Sequence, residues 1–181
     1  MRAITAHNVA RPGTRQRVKA KAMANTTRAT DFLKQAGVAF TLSDYDYDPA
    51  ADAIGMQAAQ ALGVAPERVL KTLMARVDGK PVCAILRSDR KLSMKRLAAA
   101  SGGKSAEMMP VADAEKITGY VVGGISPFAQ KRAIATLLDS DALTHDQVFI
   151  NAGRRGLQLC LSPHDAVRAL AAKAVPLAMD G

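Results

Sequence analysis

Apolar residues along this chain change their spacing several times, and each change marks the edge of a predicted element. The first patterned stretch has helical spacing. Thr27 is placed to cap a short helix that carries Phe32 and Leu33 inward, and Gly37 supplies a left-handed stop. The period then falls to two: Val38, Phe40 and Leu42 alternate with small or polar residues as far as Tyr45, which predicts a strand ended by Asp46, Asp48 and Pro49. A second helix is expected over residues 55–62, closed by Gly63.

Two apolar runs follow, residues 69–77 and 82–86, joined by Asp78-Gly79-Lys80, a hairpin signal because glycine tolerates positive φ. Ser93 caps a helix through Ala100 that Gly102 and Gly103 stop. A further short helix over 111–117 leads into an expected strand at Tyr120-Val121-Val122. Later strands are expected at 133–138, 147–151 and 157–161. The segment Ser162-Pro163-His164-Asp165 then opens the last helix, with serine as N-cap, proline first and an acid third. Short strands with hairpin signals, interspersed helices and no regular βαβ alternation predict an α+β fold, a mixed sheet or partly closed barrel surrounded by helices.

Composition narrows the picture. A length of 181 residues suits one domain, taken as residues 25–181. Six of the nine excess positive charges sit in residues 1–24, as Arg2, Arg11, Arg15, Arg17, Lys19 and Lys21 without an acid. That stretch contains Pro12 and Gly13 and no apolar periodicity, so it is predicted to be a disordered extension. Met23 opens a second conventional start, and residues 1–22 read either as an upstream extension or as a basic arm that grips RNA. From Arg68 to Lys104 ten basic residues face only Asp78 and Asp89, a surface of the kind that a phosphate backbone attracts, or a solvated charged face. No apolar run approaches the roughly 18 to 20 residues that span a bilayer. A cytoplasmic protein is therefore expected. Cys83 and Cys160 lie in apolar stretches and read as small core residues.

Familiar catalytic sets are missing from the sequence. His7, His145 and His164 have no evident nucleophile or metal partner and read as surface residues. Lys71, by contrast, lies inside an apolar strand, on one face with Val69, Leu73, Ala75 and Val77. If that face is interior, the lysine either snorkels out, loses its proton more readily, or meets an anion or polar ligand in a cavity. The run from Gly119 to Phe128 contains Gly123-Gly124 and Ser126-Pro127. It is either a tight turn or a place where a ligand approaches free backbone amides. Arg154 and Arg155 sit in a third loop, between Gly153 and Gly156, where they could contact phosphate.

Together these residues carry a family likeness. Tyr45-Asp46-Tyr47-Asp48-Pro49, Val69-Leu70-Lys71-Thr72-Leu73, the run from Thr118 to Pro127, and Gly153-Arg154-Arg155-Gly156-Leu157 occur in the order seen in YbaK/EbsC proteins, which this chain resembles from about Thr27 to Val175. The resemblance implies the mixed fold also used by the editing insertion of bacterial prolyl-tRNA synthetases, and deacylation of mischarged tRNA, most often Cys-tRNA(Pro). It implies Lys71 as the essential residue near the 3′-terminal adenosine, with Thr72, Tyr45, Gly123, Gly124 and Ser126 lining the pocket. It calls for no metal and no organic cofactor. The implied partners are tRNA and prolyl-tRNA synthetase, with no membrane. Three pocket positions depart from the cysteine enzyme: Ile54 stands where an aromatic is expected, Asn151 where serine is, and Gln158 where aspartate is. Amino-acid choice is thereby left open, with deacylation of Ala-, Ser- or Thr-charged tRNA, or a non-catalytic tRNA- or synthetase-binding module, as alternatives. Lys91, Lys95, Arg96, Arg154 and Arg155 are the expected tRNA-backbone contacts.

Overall fold

The computed structural model describes residues 26–51 and 53–180, so the basic N-terminal stretch and the Met23 start lie outside the described residues. Eight strands form one mixed sheet: β1 (Thr41–Asp44), β2 (Val69–Val77), β3 (Lys80–Arg87), β4 (Ala106–Met108), β5 (Ala135–Asp139), β6 (Val148–Asn151), β7 (Leu157–Leu161) and β8 (Lys173–Val175). Their lateral order is β1-β7-β6-β2-β3-β5-β8, with β4 paired to β2. No pairing among the described residues joins β1 to β8, so the sheet is open. Among the described residues five α-helices accompany it: α1 (Arg28–Gln35), α2 (Ile54–Leu62), α3 (Met94–Ala100), α4 (Val111–Thr118) and α5 (Pro163–Leu170).

Local chemistry accounts for most of these borders. At the start of α1 the Thr27 side chain accepts from the Thr30 amide, and the Thr30 hydroxyl oxygen accepts from the Thr27 amide at 2.8 Å, a reciprocal cap. Asp78 and Gly79 both take positive φ, 47° and 79°, which lets β2 and β3 fold back with matched twist. Ser93 caps α3 by accepting from the Arg96 amide.

Strand β2 is buried on both faces, which explains its nearly continuous apolar sequence. Leu70 and Met74 enter the largest core cluster with Leu33, Phe128, Ile150 and Leu159. On the other face Ala75 and Val77 pack with Leu86, Leu97 and Leu177, while Val69 packs with Ala58 and Ala59 of α2. Lys71 lies between those last two groups.

The expected strand at Tyr120-Val121-Val122 is not formed. Glu115 accepts from the Val122 amide at 2.9 Å, the Tyr120 hydroxyl donates to the Phe128 carbonyl at 2.7 Å, and Gly123 turns the chain at φ 88°. Those contacts fold residues 119–130 into a looped segment. Strands β4 and β8 were not legible because each is three residues long. No helix among the described residues is long and apolar enough to cross a membrane.

Candidate active site

A cleft of about 490 Å³ opens where α2, β2, the end of β3, α4 and the loop after α4 converge. Of the residues expected at the pocket, Ile54, Lys71, Thr72, Gly123, Asn151 and Gln158 line it. Met108, Met109, Val111 and Ile125 complete an apolar wall.

Lys71 is half-buried and its ammonium is gripped by backbone. Its Nζ donates to the Ser88 carbonyl at 3.3 Å and to the Arg90 carbonyl. An ammonium has three donors, so one remains for the cleft. Burial pushes the Lys71 pKa below the ordinary lysine value, and the nearby Asp89 carboxylate opposes that shift. Asp89 is itself paired in a two-pronged bond with Arg87, at 2.7 and 2.8 Å.

Asn151 holds the opposite wall together. Its Nδ2 donates to the carbonyls of Gly123 at 3.1 Å and Arg154 at 3.3 Å, while its Oδ1 accepts from the Gly153 amide at 2.7 Å. Two loops distant in sequence are thus tied at one carboxamide. The glycine pair fits the same junction, since a Cβ at Gly124 would lie 2.9 Å from the Arg155 amide nitrogen and one at Gly123 would lie 2.6 Å from the Tyr47 hydroxyl. Gly124 is therefore required by close packing and its amide is used, donating to Val121 O at 2.9 Å. The amides of Gly123 and Ile125 donate no hydrogen bond among the described residues and belong to cleft-lining residues.

Tyr45, Gly124 and Ser126 do not line the cleft. Ser126 is fully buried and shapes the turn, its hydroxyl accepting from the Phe128 amide at 3.3 Å and its carbonyl from Gln130 at 3.0 Å. Tyr45 lies behind Gln158: burial raises its pKa and the Gln158 side chain lowers it, but neither the Tyr45 hydroxyl nor Gln158 Oε1 closes a full hydrogen bond.

Unpartnered polar atoms concentrate around this cleft. Thr72 Oγ1, Ser88 Oγ and Gln158 Oε1, all on lining residues, are buried without a hydrogen-bond partner, as is Gln57 Oε1 on α2. Native interiors leave few such groups. Ser88 is absent from the sequence expectations because it simply ends an apolar strand and belongs to no motif.

The basic residues divide into two kinds. Lys91 and Lys95 are exposed. Arg96, in contrast, is spent on the C-terminal segment, donating to the Ala178 carbonyl and pairing with Asp180 at 2.5 Å. Arg154 pairs with Asp44 at 3.4 Å, and Arg155 donates to the Val122 carbonyl at 2.9 Å with its guanidinium 5.4 Å from the Tyr47 ring centroid. These arginines bind the site's own loops. Cys83 and Cys160 are buried free thiols, as expected, and burial pushes the Cys83 pKa up to about 12.

A family model described as the aminoacyl-tRNA editing domain matches residues 48–169. The chain is 34% identical over 140 residues to EbsC of Enterococcus faecalis, whose name proposes a Cys-tRNA(Pro)/Cys-tRNA(Cys) deacylase; the match covers 76% of this chain and 84% of that one. It is 27% identical over 154 residues to the multifunctional Ser/Thr-tRNA deacylase ProXp-y of Escherichia coli, covering 82% of this chain and 90% of that one. In fold it resembles a crystal structure described as a proposed trans-editing enzyme for prolyl-tRNA synthetase, with a TM-score of 0.74 and 19% identity over 84% of this chain and 96% of the other.

Proposed function

The chain belongs to the aminoacyl-tRNA editing domain family, and on that footing we propose that it is a deacylase of mischarged tRNA that acts on Cys-tRNA(Pro), with Lys71 as its catalytic residue. The observation that carries this reading is the Lys71 ammonium, held by two carbonyls at the wall of a cleft whose other lining residues are all uncharged.

Such a site needs no nucleophile of its own if the substrate brings one. The cysteinyl thiol attacks the carbonyl carbon of its own ester, a C–S bond forms, the ester C–O bond breaks, and the proton leaves with the ribose oxygen. The products are a cyclic thiolactone and free tRNA. Lys71 and the unengaged Gly123 amide would face the oxygen on which negative charge grows, and stabilisation there is the largest common source of rate. Holding thiol and ester together contributes further, on the order of 7 to 11 kcal/mol for well-oriented groups. Lys91 and Lys95 are the proposed phosphate contacts, and prolyl-tRNA synthetase the proposed partner, in keeping with the structural relative described for that synthetase.

The test is deacylation of Cys-tRNA(Pro) and Ala-tRNA(Pro) in parallel by the wild-type and Lys71→Ala proteins. Lys71-dependent loss of the cysteinyl ester with release of thiolactone supports the proposal. Release of free amino acid from Ala-, Ser- or Thr-charged tRNA would transfer the activity to a water-dependent route. Salt-dependent tRNA binding without deacylation would make the chain a binding module.

A further inference from the structure

Asp139 ends β5 on the far side of β3 from the cleft wall formed by β6, belongs to no motif, and is 2% exposed. Its carboxylate is nonetheless fully engaged. Oδ1 accepts from the Asp141 amide at 3.0 Å, and Oδ2 accepts from the amides of Leu177 at 3.0 Å and Ala178 at 2.7 Å. A charge taken out of water needs such donors, and these fasten the C-terminal segment 176–180.

That segment has a second set of bonds. The Ser93 amide donates to Leu177 O at 2.8 Å, the Met179 amide to Lys91 O at 2.8 Å, Leu92 and Ala178 form a β-bridge, and Arg96 donates to Ala178 O. Every one of them falls on residues 91–96, directly after the two carbonyls, of Ser88 and Arg90, that hold Lys71 Nζ. Upstream the loop is fixed to the sheet by the Ser88 amide, which donates to Val69 O at 2.8 Å; downstream its anchor is the C-terminal segment.

We propose that Asp139 is a positioning residue for Lys71, acting through segment 176–180 and the loop 88–91 whose carbonyls aim the ammonium. The inference rests on Lys71 carrying the deacylation, and the tests below separate the two. Asp139→Asn keeps the shape but turns an NH₂ toward backbone amides. Met179→Pro removes the N–H that reaches Lys91 O, at a side chain 52% exposed, and fixes the local φ.

Two quantities are read on wild type and both variants, each verified as folded by circular dichroism. They are kcat and KM for Cys-tRNA(Pro), and the rate at which an amine-reactive anhydride modifies Lys71, followed by peptide mass spectrometry. Expected are a kcat about tenfold lower or less with KM within about twofold, since small misplacements of a reacting group cost rate rather than binding, and faster modification of Lys71 with other lysines unchanged. Unchanged Lys71 modification in both variants overturns the proposal, whatever happens to activity. An inactive wild type defeats the deacylase reading instead, while the modification rate still reports whether Asp139 positions Lys71.

Discussion

Gly55 lies so close to Ser88 that a Cβ at position 55 would stand 2.2 Å from Ser88 Oγ and 2.7 Å from Ser88 Cβ. This contact seats the first turn of α2 on the end of β3, beside the carbonyl that holds Lys71. Alanine is favoured over glycine within a helix by about 1 kcal/mol, but overpacking costs roughly 1 to 3 kcal/mol. We therefore expect Gly55→Ala to lower the urea midpoint, and Ser88→Gly in the same chain to restore most of the loss. A single variant as stable as wild type would show that the helix shifts freely.

Asn151→Ala removes three hydrogen bonds that join the Gly123 turn to the 152–156 loop. Leaving buried partners unpaired costs on the order of 1 to 3 kcal/mol. Equilibrium unfolding is expected to register that loss. Asn151→Asp should be worse, because a carboxylate oxygen would replace the amide nitrogen between two carbonyls.

The depressed pKa of Lys71 has a stability consequence with a definite sign. Burial disfavours the ammonium, so the folded state carries a penalty at every pH below the folded-state pKa. The penalty fades as pH rises from there toward the ordinary value of 10.5, above which both states are neutral. Lys71→Met should consequently be no less stable than wild type near neutrality, with any advantage shrinking on the alkaline side, while deacylation is lost. Melting curves at several pH values decide this. If the ammonium is the working form, the enzyme-dependent rate should also fall at a pH below 10.5.

Salt dependence distinguishes the basic residues. Each phosphate contact removed should flatten the slope of log affinity against log salt by about 0.7 to 0.9. That outcome is expected for Lys91→Ala and Lys95→Ala. Arg96→Ala should instead leave the slope alone and lower stability, because its partners are Ala178 and Asp180. A flattened slope for Arg96→Ala would contradict the assignment.

What could be read from the sequence was what local chemistry decides. The Thr27 cap, the Asp78-Gly79 turn and the left-handed Gly63 each act within a few residues, and the corresponding elements formed where expected. Lys71 stood out because an ammonium interrupts an apolar strand. The errors came from non-local contacts. Tyr120-Val121-Val122 has strand composition, but the Thr118 hydroxyl and the Glu115 carboxylate accept from the Tyr120 and Val122 amides that a ladder would use. Ser126 is buried behind the turn, its hydroxyl accepting from the Phe128 amide. Ser88 and Asp139 gave no signal at all, since their importance lies in which carbonyls and amides from other segments reach them.

The pairing of β2 has a bearing on how the molecule assembles. Its partner β3 is the next strand in the chain, whereas on its other side β2 runs parallel to β6, with Val69 opposite Phe149 and Leu70 opposite Ile150. Contacts between neighbours in sequence form quickly, and those closing long loops form slowly. A nascent chain that has already folded the Lys71 hairpin still lacks the wall bearing Asn151 and Gln158, so synthesis must pass β7 before the cleft exists.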